Sequence, residues 1–98
     1  MRHSFEWDTR KAKANVRKHN VRFERAATIF RDPNLLTIPD GEHSEFEERW
    51  ITMGLDETGS LLVLVHKFES VDPEFSSVRI ISARKATKGE TTTYEKGI

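Results

Sequence analysis

The run SLLVLVHKF, residues 60–68, most limits what this chain can fold into. Its apolar residues fall on both alternating positions, the pattern of a strand covered on two sides, so it reads as central in a sheet. Ahead of it lies DETG, residues 56–59, a turn, and ahead of that RWITMGL, residues 49–55, a second strand. The two strands are expected to pair antiparallel as a hairpin. VRIIS, residues 78–82, is a further strand, and residues 35–38 form a short apolar piece before the polar loop 39–48.

Helical signals flank this core. Asp8 is placed to cap TRKAKANVRKH, in which Ala12 and Val16 share a face, and Asn20 suits the left-handed end of that helix. In FERAATIF, the residues Phe23, Ala26, Ala27 and Phe30 recur at i, i+3, i+4 and i+7, an apolar stripe that predicts a second helix. Asp32-Pro33 stops it, because the residue before proline avoids the helical region. Thr87-Lys88-Gly89-Glu90 has the capping-box pattern ahead of Tyr94. That last helix carries Gly89 and three threonines, so it needs a surface to pack on. The expectation is one α+β domain over residues 1–98: two N-terminal helices, a mostly antiparallel sheet of about four strands, and a C-terminal helix.

Composition narrows the function classes. With 98 residues there is room for one modest core. No cysteine is present, which excludes disulfides and thiol nucleophiles. The longest apolar run, residues 61–65, is far short of the roughly 20 residues a membrane span requires. MRHSFEWD has no apolar signal-peptide region, so a soluble cytoplasmic protein is expected. The net charge is zero but unevenly spread. Residues 1–31 hold nine Lys/Arg against three Asp/Glu, whereas residues 32–60 hold one against eight. A basic first third suits a phosphate-binding surface, and equally suits a pair of solvated helices.

The residues also carry a family pattern. FEWD (residues 5–8), Lys11, Asn15, Lys18 and His19 are followed by Phe23, Ala26, Phe30, Asp32 and Pro33. His43, Ser44, Glu47, Glu48, Arg49 and Gly54 come next, and RIISARKAT (residues 79–87), Glu90 and Tyr94 close it. This resembles the BrnT toxins over nearly the whole chain. The resemblance implies a RelE-like fold and a ribonuclease that shuts down translation. It implies a BrnA-like antitoxin whose ribbon-helix-helix part binds DNA, so that operator DNA is met only through the antitoxin. Three departures stand out. Arg22 replaces a serine-like cap, at a cost of about 1 kcal/mol unless another group caps the helix. KGETTTYE is less basic than the usual terminal helix. The loop ESVDPEFSS is longer than in many members.

Metal-free RNA cleavage needs a base for the 2′-hydroxyl, cations fixed near the phosphate, and an acid for the leaving 5′-oxygen. Arg79 and Arg84 suit the phosphate, since a guanidinium can hold two oxygens; salt bridging to the acidic segment is the plainer role. His43 with Glu47 or Glu48 is the candidate acid/base group, unless these residues only form a solvated loop. Lys18, His19, Lys85 and Tyr94 are candidate RNA contacts. Lys18 and His19 also simply favour a helix C-terminus, and Tyr94 also suits packing. Trp7 and Trp50 read as core. No metal and no other cofactor is expected, since one histidine among carboxylates is a weak ligand set. A non-catalytic partner-binding module acting as co-repressor is the alternative from another class. A small DNA-binding domain using the basic first helix has no helix-turn-helix signature behind it.

Overall fold

The computed structural model describes residues 2–41, 48–72 and 75–97. The order is β1 (Arg2–Trp7), α1 (Thr9–His19), α2 (Phe23–Ala27), a 3₁₀ turn (Thr28–Arg31), β2 (Leu36–Pro39), β3 (Trp50–Leu55), β4 (Leu61–Asp72), β5 (Phe75–Lys85) and α3 (Lys88–Lys96). The expected hairpin is present, with Trp50 opposite His66 and Leu55 opposite Leu61. Its turn is built by Asp56, whose buried carboxylate accepts from the Thr58 and Ser60 backbone N–H groups and the Thr58 hydroxyl. Arg25 of α2 pairs with the other oxygen, which ties the turn to the helices. Gly59 sits at φ +83°, a conformation that costs glycine little.

The five strands form one sheet in the order β1-β5-β4-β3-β2. This corrects the expected architecture: among the described residues the first element is a strand rather than a helix, and the sheet has five strands. β1 pairs parallel to β5, with Arg2 opposite Phe75 and Trp7 opposite Ile80. The signal for β1 is in the sequence, because polar Arg2, Ser4 and Glu6 alternate with aromatic His3, Phe5 and Trp7. The stripe from Phe23 to Phe30 also divides. It is α-helical only to Ala27 and then tightens into the 3₁₀ turn that places Ile29 and Phe30.

Cross-strand partners point to the same side, so register separates the two faces of the sheet. Leu62, Leu64, Val78, Ile80 and Ala83 face the helices and meet Val21, Phe23, Ala26 and Ile29, all fully or almost fully buried. The other face carries Val63, Val65 and Lys67 of β4, bordered by Ile51 and Met53 of β3. Over its β2–β3 side, α3 lines a groove of about 440 Å³ with Leu36, Ile38, Ile51, Met53 and Val63. Capping fits expectation at three ends. Asp8 accepts from the Arg10 and Lys11 N–H groups, Asn20 is left-handed at φ 56°, and Thr87 with Glu90 completes the capping box. Arg22 begins α2 without a side-chain cap.

Candidate phosphate site on the outer sheet face

Arg79 and Arg84 are five residues apart on β5, a spacing that sends side chains to opposite faces of a regular strand. A bulge reverses this. Val65 pairs with Ser82 but His66 pairs with Ile80, so Ile81 is an extra residue in the ladder. Arg84 then lies opposite Val63 and Arg79 opposite Lys67, both on the face away from the helices. Those partners are four positions apart on β4, which puts the two arginines roughly 13 Å apart along the sheet. Lys67 was not singled out from sequence. Its signal is the alternation of SLLVLVHKF, which sets it on the side opposite Leu62, Leu64 and His66.

The two arginines are held differently. Arg84 makes a two-pronged pair with Glu90 at 2.8 and 2.9 Å, and donates to the Lys85 carbonyl at 3.3 Å. The Arg84 hydrogen bonds pull the Glu90 carboxyl down to about 2, and the same contact raises the guanidinium above its ordinary value. Glu90 also accepts from the Thr87 backbone N–H at 2.8 Å. Arg84 therefore braces the start of α3 against β5. Arg79 lies 3.6 Å from Glu6, with its side chain 41% exposed and that of Glu6 45% exposed. Such a contact is solvent-screened and weakly binding, so it does not lock this guanidinium in place.

The remaining sequence candidates spread out. His43 and Glu47 lie outside the described residues. Glu48 is exposed, just ahead of β3. Lys18 is exposed and His19 half-buried at the end of α1. Lys85 pairs with Leu62 and so points away from Arg84. Tyr94 donates its phenolic O–H to Asp32. Burial and that bond push the phenol up to about 12. Burial works to raise the Asp32 carboxyl, but bonds from the Leu55 N–H, Tyr94 and the Asn34 N–H outweigh it and leave it lowered. Tyr94 thus anchors α3 to the segment after the 3₁₀ turn.

His66 was also missed. It is fully buried, and its Nε2 lies 2.7 Å from the Thr52 hydroxyl, which is 2.8 Å from that of Thr37. Burial drives its pKa down to about 4, with the Lys67 backbone opposing and His3 assisting. It is a neutral imidazole at ordinary pH, and its place in an apolar run marks it as interior. Among the described residues no group of three or more His, Asp or Glu is arranged to hold a metal ion, and no helix is long and apolar enough to cross a membrane.

Comparisons with known proteins bear on the fold and the family. The crystal structure of the Brucella abortus ribonuclease toxin BrnT superposes with a TM-score of 0.65, covering 90% of this chain and all of that one at 17% identity. At that identity the likeness speaks to the fold. Among proteins of curated function, the sequence finds no match. The family model described as "Ribonuclease toxin, BrnT, of type II toxin-antitoxin system" matches residues 7–90. The chain therefore belongs to the BrnT family of ribonuclease toxins of type II toxin–antitoxin systems.

Proposed function

We propose that this chain is a single-domain endoribonuclease toxin, RelE-like in build, that cuts RNA without a metal and so stops translation in the cytoplasm. The observation that carries the mechanism is the bulge at Ile81, which turns Arg79 to the same open face as Arg84 and Lys67. A phosphodiester laid on this face meets the Arg79 guanidinium, whose planar fork matches two phosphate oxygens. Charge that builds on those oxygens as the 2′-hydroxyl attacks is then met by this cation. Arg84 sets one end of the face through Glu90. We assign the proton transfers to His43 with Glu47 or Glu48, and contacts to the RNA backbone beyond this face to Lys18, His19, Lys85 and Tyr94.

A BrnA-like antitoxin with a ribbon-helix-helix part is the partner in this reading. It silences the toxin and carries it to operator DNA. Purified toxin incubated with RNA and EDTA is expected to cut it. Expression alone is expected to arrest growth, with rescue by the neighbouring antitoxin gene. Protection of RNA by EDTA points to a metal mechanism. Intact RNA together with operator repression by the toxin–antitoxin pair points to the co-repressor module.

A further inference from the structure

A second cavity lies across β1 from Arg79. Glu24, Ala27, Thr28 and Arg31 recur at i, i+3, i+4 and i+7 through α2 and the 3₁₀ turn, so they share one face. With His3 and Phe5 of β1 and with Phe30 they line a space of about 380 Å³. Its aromatic wall is continuous, with Phe5 and Phe30 ring centres 5.4 Å apart and those of His3 and Phe30 5.5 Å apart. Thr28 is fixed in the opposite wall, its hydroxyl donating to the Arg25 carbonyl and accepting from the Glu57 N–H.

Three features of this cavity have no use in the fold. The side chains of Glu24 and Arg31 carry opposite charges on one face, yet among the described residues neither has an ion-pair or hydrogen-bond partner. Seven steps along the helix and the 3₁₀ turn separate their backbones by roughly 11 Å, which leaves room between the two heads for a flat ring system. The Nδ1 of His3 is buried without a hydrogen-bond partner. Buried polar nitrogens are rarely left so.

We propose that this cavity is a guanine subsite for a base splayed out of single-stranded RNA. The proposal rests on the ribonuclease reading above. Every RNA base has a donor and an acceptor, but guanine alone offers two adjacent donors for a carboxylate and two adjacent acceptors for a guanidinium. Its N1–H and amino group donate to the Glu24 carboxylate, while its O6 and N7 accept from the Arg31 guanidinium. Its ring lies against the Phe5–Phe30 wall, as single-stranded bases do on aromatic side chains. Adenine places an amino group where the guanidinium needs an acceptor. The position suits a substrate strand. Phe5 and Glu6 are neighbours on edge strand β1 and point to opposite faces, so the base cavity and the Glu6–Arg79 pair flank one strand.

The test uses the purified full chain, free of antitoxin, in two measurements. Calorimetric titration with GMP, AMP, CMP and UMP is expected to show GMP binding at least about tenfold tighter than AMP, a typical discrimination for paired base-edge contacts. Glu24→Gln and Arg31→Gln are each expected to abolish the preference without changing the melting temperature, since both positions are exposed. Mapping of cut sites on a mixed-sequence RNA is expected to show enrichment beside guanines, lost in Glu24→Gln. Equal binding of GMP and AMP, or a guanine preference that survives Glu24→Gln, overturns the subsite. RNA cut without regard to guanine overturns it too, while the ribonuclease stands. Selective GMP binding with no RNA cleavage supports the subsite and removes the ribonuclease reading.

Discussion

Asn15 and Ala83, 68 residues apart, are joined by two hydrogen bonds: the Ala83 N–H donates to Asn15 Oδ1 at 3.0 Å, and Asn15 Nδ2 donates to the Ala83 carbonyl at 2.9 Å. β1 ends at Trp7 opposite Ile80, so beyond that point the outer edge of β5 has no strand to pair with. The Asn15 amide takes the missing strand's place. Its other N–H reaches the Val21 carbonyl at 2.8 Å, which sets the corner between α1 and α2. Asn15→Ala strands three buried backbone groups, each costing about 1–3 kcal/mol. The variant is expected to lose about 3 kcal/mol or more, read as a lower urea midpoint at unchanged slope. Asn15→Asp is expected to be no better, because it removes both donors. A loss below about 1 kcal/mol means that water replaces the amide.

Gly54 is the second point where the fold allows little change. A Cβ there would lie 3.2 Å from the Ile29 carbonyl oxygen, 3.3 Å from the Ile29 Cβ and 3.4 Å from Asp32 Oδ2. The 3₁₀ turn lies directly on β3 at this residue, and Asp32 reaches across to accept from the Leu55 N–H at 2.8 Å. Gly54→Ala is expected to cost about 1–3 kcal/mol by overpacking, seen as a lower melting temperature. An unchanged melting temperature shows that the turn can retreat.

Much of this packing was legible in the sequence, and the rest was not for physical reasons. The hairpin, the caps at Asp8 and Thr87 and the stop at Asp32-Pro33 are local, set by turn and cap chemistry within a few residues. β1 was obscured because two of its three polar positions carry charge and a helix cap follows it directly, although its alternation is regular. The face shared by Arg79 and Arg84 was not legible at all. It depends on a bulge at Ile81, which local composition does not announce. Asn15, Gly54 and Tyr94 belong to the family pattern, yet only the contacts they make across the fold give them a reason. Conversely, Glu24 and Arg31 read as an ordinary solvated helix face until β1 is placed beside them.

His66 predicts an acid-sensitive fold. In the unfolded chain it takes up a proton near its ordinary value of 6.5, whereas in the folded chain burial delays this to about 4. Between those values the unfolded state binds more protons, so this contribution to stability is full above 6.5 and is lost as pH falls toward 4. The loss over that window is roughly 3 kcal/mol, at 1.36 kcal/mol for each pH unit. Asp56 and Glu90, both held near 2, add their own losses lower, from about pH 4 downward. Urea unfolding at pH 7, 6, 5 and 4 is expected to show the slope, and His66→Leu is expected to flatten it above pH 4. A slope that persists in His66→Leu assigns it to another group.

The two arginines of the outer face are expected to fail in different ways. Arg84 is engaged twice by Glu90, the residue that also completes the α3 cap. Arg84→Met is therefore expected to cost about 1 kcal/mol, the upper end for a partly exposed ion pair, and to speed hydrogen exchange along α3. Arg79 has only the longer, exposed contact with Glu6. Arg79→Gln is expected to change stability by less than about 0.5 kcal/mol and to lower RNA cleavage about 100-fold, as removal of a transition-state donor does. Measuring unfolding and RNA cleavage on both variants separates bracing from chemistry. If Arg79→Gln cleaves like the parent chain, the phosphate is held elsewhere, and the bulge at Ile81 serves only the curvature of the sheet.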